Sequence, residues 1–170
     1  EARGFRFRDG ATSLDNLTAA LDGVHIFHFL GHGEYDARAE TASLYLEGER
    51  LRVDDATIAA RVQGLDAPPR LIFLASCETA STGAAPFTGL ARRLVRARVP
   101  AVVAMQELLD MTVARTLTAE FYRHLLPEGV VDRALNRARN MLFHSYRQNW
   151  DRDWAIPVLY MWLPEGRLLR

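Results

Sequence analysis

Leu71-Ile72-Phe73-Leu74-Ala75-Ser76-Cys77-Glu78-Thr79 decides the reading of this chain. The apolar run before Ser76 is too short for a self-standing helix, carries no polar face of period two, and follows Pro68-Pro69. Those features predict a central strand buried on both faces. Cys77, the one cysteine in the sequence, then falls at the carboxyl end of that strand. Open α/β sheets place their chemistry there, because helices cover both faces and the strand ends border a crevice. Val24-His25-Ile26-Phe27-His28-Phe29-Leu30 has the same shape and ends in Gly31-His32-Gly33. One strand delivers a thiol and the other an imidazole.

Working outward, helix and strand signals alternate. Thr12 with Asp15 resembles a capping box for a short helix with Leu14, Leu17 and Leu21 on one side and Gly23 as its stop. Residues 37–42 read as a loop, and Leu44, Leu46 and Leu51 around Glu47-Gly48 as a hairpin that could roof the site. Asp54-Asp55 opens a helix, its acids matched to the dipole, with Ile58, Ala59 and Val62 apolar and Gly64 as its end. Residues 80–85 read as a loop. Phe87, Leu90, Ala91, Leu94 and Val95 form a helical stripe, while Arg92, Arg93 and Arg96 read as a solvated face. Pro100 to Met105 is a third buried strand, two helices follow across Gly129, and Ile156 to Met161 is the last strand. Glu1 to Gly10 alternates charge and phenylalanine, as an edge strand or a lead-in would. The economical solution is an α/β fold with an open, mostly parallel sheet and helices on both faces.

Composition bounds the function. The chain has 170 residues, 49% hydrophobic, enough for one domain with a respectable core. Its formal charge is zero, so bulk electrostatics recruit neither nucleic acid nor an acidic membrane. The 21 basic residues are all arginine, which a GC-rich genome explains more simply than selection for guanidinium chemistry does. A lone cysteine excludes an internal disulfide and a multi-thiolate metal site, and fits a reducing cytoplasm. No run approaches the ~20 apolar residues of a transmembrane helix. The expectation is a protein needing no cofactor and no metal.

A thiol is mostly protonated at neutral pH, and a neighbouring imidazole that takes the proton makes it a nucleophile. Two parallel strands ending side by side bring Cys77 and His32 within reach. The amides of Gly33 and Cys77 are candidates for an oxyanion hole, and flanking glycines leave room for a substrate backbone. Asp36 and Glu78, beside the two reactive residues, are candidate substrate-binding or imidazole-tuning acids, against solvated or capping roles. Met105 and Gln106, at a strand end, could line a specificity pocket, with core packing the other role for Met105. His25 and His28 lie on opposite strand faces and read as structural, and His124 and His144 as ordinary helix histidines.

Gly31-His32-Gly33-Glu34-Tyr35-Asp36, Phe73 to Thr79, Val102-Val103-Ala104-Met105-Gln106, Phe121-Tyr122-Arg123, and Trp154 to Tyr160 resemble, in this order, the successive blocks of the CHAT domain. CHAT domains are caspase-like cysteine peptidases related to caspases and separase, often fused behind tetratricopeptide repeats. The resemblance runs from about Thr12 to Leu168. It implies a three-layer α/β/α sandwich, His32 and Cys77 as a peptide-cleaving dyad, and a protein or peptide substrate. It also implies regulated proteolysis in bacterial signalling or defence, with the preceding part of the polypeptide or tetratricopeptide repeats controlling access. Caspase-like domains have strands before the histidine strand. Residues 1–170 are therefore expected to be a single CHAT peptidase domain from that strand onward, its first part missing, cleaved or on another chain. Where the family carries proline and a serine-aspartate pair, this chain has Glu107-Leu108-Leu109-Asp110-Met111, with Asp110 placed to cap the next helix. A fold of this kind that has lost activity and serves as an interaction module, and a thiol hydrolase of esters or small amides, are the two alternatives.

Overall fold

The computed structural model describes residues 13–36, 38–46, 51–76, 88–145 and 152–169. Parallel strands β1 (Ile26–Gly31), β5 (Leu71–Ser76) and β6 (Ala101–Met105) lie side by side, and β7 (Pro157–Met161) closes the row antiparallel to β6. A second, antiparallel sheet is built from β2 (Gly33–Asp36), β3 (Thr41–Leu46) and β4 (Leu51–Asp54). Helix α1 (Leu14–Leu21) precedes β1, α2 (Asp55–Gln63) lies between β4 and β5, α3 (Thr88–Arg96) between β5 and β6, and α4 (Met111–Glu128) and α5 (Val131–Ser145) follow β6.

The buried-strand pattern of β5 and β6 is what layers the molecule. Successive strand residues face opposite ways, so Leu71, Phe73, Ala101, Val103 and Met105 join α4 and α5 in one core. Ile72, Leu74, Val102 and Ala104 meet α1, α2, α3 and the apolar side of the small sheet in the other. The result is the three-layer α/β/α sandwich with a mostly parallel central sheet that the resemblance implied.

Several local expectations are corrected. The α1 cap is Ser13, whose hydroxyl accepts from Asn16 N at 3.1 Å; Thr12 lies outside the described residues, as do residues 1–10 and 80–85. The first strand begins at Ile26, because Arg70 N and Leu71 N both bond to His25 O and pairing with β5 starts there. It is also half-buried, not fully buried, since among the described residues it is an edge strand of its sheet, and Leu30 is 62% exposed. Thr41 and Ala42 belong to β3 and not to a loop: β2, four residues with no apolar signature, becomes a strand through the ladder that β3 offers it. Asp55 does more than face a helix dipole. It is buried and ion-paired at 3.0 Å with Arg93, which therefore is not a simply solvated arginine.

Candidate active site

The register of the parallel strands sets the geometry. Gly31 of β1 lies opposite Ser76 of β5. The parallel β5–β6 pairing runs from Leu71–Ala101 to Leu74–Ala104. Neighbouring strands are about 4.8 Å apart, so Gly31 and Ser76 lie side by side at the carboxyl end of the parallel strands. His32 follows directly from the first of them and is exposed. Cys77 follows the second in sequence; it and Glu78 lie outside the described residues.

The chain after His32 enters the small sheet at once. His32 O accepts from Tyr45 N at 3.0 Å, and Gly33 pairs opposite Leu44. Hydrogen-bonded and non-bonded pairs alternate along an antiparallel ladder, so the Gly33 amide is directed away from β3 and is not consumed by the ladder. Gly31 matters for a reason internal to the chain: a Cβ there would meet the Phe29 ring at 2.6 Å.

The remaining candidates take definite places. Met105 is 1% exposed and packs in the α4–α5 core, so its side chain serves the core and does not line a pocket. Gln106 is half-buried; its backbone amide donates to Ile156 O at 3.0 Å and its side-chain Nε2 to Ala155 O at 2.8 Å, which ties the end of β6 to the segment before β7. Asp36 holds a turn, accepting from Arg38 N at 2.9 Å and Ala39 N at 3.1 Å. The Ala39 and Arg38 amides keep its carboxyl below the usual carboxylate range. Asp110 caps α4 through Thr112 N and Val113 N, the role its position predicted.

Beneath the Gly31–Ser76 pair lies an aromatic cluster that the sequence reading did not assemble. His28 stacks on Phe73 with centroids 4.7 Å apart, and its Nδ1 is 3.0 Å from Tyr122 Oη. Phe121 and Tyr122 of α4 both pack on the Phe73 ring. Burial lowers the His28 pKa to about 4 and raises that of the Tyr122 phenol, so both are neutral at pH 7. The cluster ties β1 to β5 four residues, about 13 Å of extended chain, before His32. The helical spacing of Phe121 marked a core position, but nothing in the sequence showed which strand residue it would meet.

A cavity of about 360 Å³ opens among Val130, Asp132, Arg133, Met161 and Arg167. Met161 lies opposite Ala101, the first residue of β6, so this cavity is at the far end of the sheet from His32. Among the described residues no group of three or more histidine, cysteine, aspartate or glutamate side chains could hold a metal ion, and no helix is long and apolar enough to cross a membrane.

No curated protein matches the chain. The CHAT domain family does, over residues 4–161, nearly the whole length and across both sheets. This chain belongs to the CHAT domain family, a caspase-like family of the cysteine-peptidase type.

Proposed function

We propose that this domain is a cysteine endopeptidase acting on protein or peptide substrates. The observation that carries the reading is the pairing of Gly31 with Ser76: the residues immediately before His32 and Cys77 are neighbours on adjacent parallel strands. Chain connectivity limits each reactive residue to one Cα step, about 3.8 Å, from that pair. In the proposed reaction His32 takes the proton of the Cys77 thiol, and the thiolate attacks the scissile carbonyl carbon. The Gly33 and Cys77 amides hold the resulting oxyanion, an arrangement in which one lost donor typically costs about 3–4 kcal/mol of barrier. His32 then protonates the leaving amine as the C–N bond breaks, and water, giving its proton to His32, hydrolyses the thioester.

Family resemblance supports regulated proteolysis, with the preceding part of the polypeptide or flanking tetratricopeptide repeats governing access. The test is cleavage of a peptide library by the native protein and by Cys77→Ala and His32→Ala variants of unchanged circular dichroism. Cleavage by the native protein that disappears in both variants is the expected result. Turnover that persists in Cys77→Ala overturns the reading.

A further inference from the structure

The cavity of about 360 Å³ at the end of the sheet remote from His32 lies between the start of α5 and the segment that follows β7. Val130, Met161 and Leu163 give it an apolar lining, and two walls carry its charges. One wall, the first turn of α5, supplies Asp132 and Arg133; the other, the turn after β7, supplies Glu165 and Arg167. All four side chains are exposed, and among the described residues none of them makes an ion pair or a side-chain hydrogen bond. Each wall therefore presents one carboxylate and one guanidinium whose hydrogen-bonding capacity is not taken up by the protein.

The second wall is held in an unfavourable backbone conformation. Glu165 has φ of 56°, in the left-handed region that disfavours any residue with a side chain. Arg167 N closes the turn on Pro164 O at 3.3 Å, and Gly166, with φ of 64°, lies so close to α5 that a Cβ on it would run into the Asp132 carboxylate. Leu168 N and Leu169 N on Gly129 O, with the bridge between Val130 and Arg167, anchor the segment. Strain of this kind persists where the surroundings over-determine it, and such positions concentrate at ligand sites.

Charge balance narrows the ligand. An ion of either sign alone would meet a like charge on each wall, whereas a net-neutral molecule carrying both signs finds a partner for each. A guanidinium fork takes a carboxylate through paired hydrogen bonds, and a carboxylate accepts from an ammonium. The volume is at the small end of the range for small-molecule sites. We propose that this cavity binds a small zwitterion with apolar side chains, an α-amino acid or dipeptide. Its carboxylate sits on Arg133 or Arg167, its ammonium on Asp132 or Glu165, and its side chains on Val130, Met161 and Leu163. The site is separate from the candidate dyad and does not rest on the peptidase reading.

The test is isothermal titration calorimetry of the native protein with leucyl-leucine and its three blocked forms, N-acetylated, C-amidated and both. The expected result is one saturable site for the zwitterion, with affinity about tenfold lower for each singly blocked form. The zwitterion is expected to lose a similar factor in Arg133→Gln/Arg167→Gln and in Asp132→Asn/Glu165→Gln, whose exposed positions leave the circular dichroism unchanged, and none in Cys77→Ala. No saturable binding into the millimolar range overturns the assignment, and so does equal affinity for all four forms. Binding that both pairs of charge variants leave unchanged, or that Cys77→Ala abolishes, places the ligand elsewhere and overturns it as well.

Discussion

His28 sits four residues before His32, and its surroundings explain why it is not itself a candidate catalytic imidazole. Stacked on Phe73 and paired with Tyr122, it has lost most of its hydration, and burial holds its pKa at about 4 against an ordinary 6.5. Between those two values the unfolded chain binds a proton that the folded chain refuses. Stability therefore rises with pH through this window and is lost as the pH falls from 6.5 toward 4. At about 1.4 kcal/mol per pKa unit, this one group accounts for about 3 kcal/mol of acid sensitivity. Replacing both partners, His28→Phe with Tyr122→Phe, keeps the stack and leaves no orphaned hydroxyl. Urea unfolding at pH 7 and pH 4 is expected to show a smaller difference between the two pH values in the double variant than in the native protein. An unchanged difference would mean that carboxylates elsewhere carry the acid sensitivity.

At the scale of the element, helix ends show how identical backbone conformations differ in their demands. Gly23 follows α1 with φ of 69°, and Gly129 ends α4 with φ of 70°. Both are in the left-handed region, where a side chain costs about 1–2 kcal/mol. A Cβ on Gly23 would meet nothing within 4 Å, whereas one on Gly129 would run into the Leu169 carbonyl. That close approach exists because Leu168 N and Leu169 N both bond to Gly129 O, at 2.7 and 3.1 Å, which pins the C-terminal segment beneath the α4–α5 turn. Gly23→Ala is expected to cost about 1 kcal/mol, and Gly129→Ala above about 3 kcal/mol once overpacking is added. Urea midpoints of the two variants check this; equal losses would show that the Leu169 contact yields easily.

Across the whole molecule, two cores share one sheet. Phe73 and Leu74 are consecutive residues of β5, both almost fully buried, yet Phe73 faces α4 and α5 while Leu74 faces the first three helices and the small sheet. Truncating either to alanine is expected to cost about 2–5 kcal/mol. Because β5 belongs to both cores, each variant is predicted to unfold in a single transition, with near- and far-ultraviolet circular dichroism midpoints coinciding. Separate midpoints in Leu74→Ala would show that the small-sheet side opens on its own. The same shared sheet explains why the reading of the site depends on register: parallel pairing fixes which residues end in the same row, and Gly31 and Ser76 do.

Much of this was legible in the chain itself. Apolar runs at 71–75 and 101–105 specify strands buried on both faces, because only such strands can present consecutive large apolar residues to two helix layers. The helical stripes and caps, Asp54, Asp110 and Gly129 among them, follow from local backbone needs, and the Gly-His-Gly and Ser-Cys blocks place the chain in its family. What local sequence could not express was partnership. The Asp55–Arg93 pair, the His28–Phe73–Tyr122 cluster, the burial of Met105 and the recruitment of Gly33–Asp36 into a sheet all join residues far apart in the chain. Each is decided by which surfaces meet after collapse, since a strand with no apolar alternation acquires its identity from a neighbour's hydrogen bonds, and a charged residue is buried only where a distant partner awaits it.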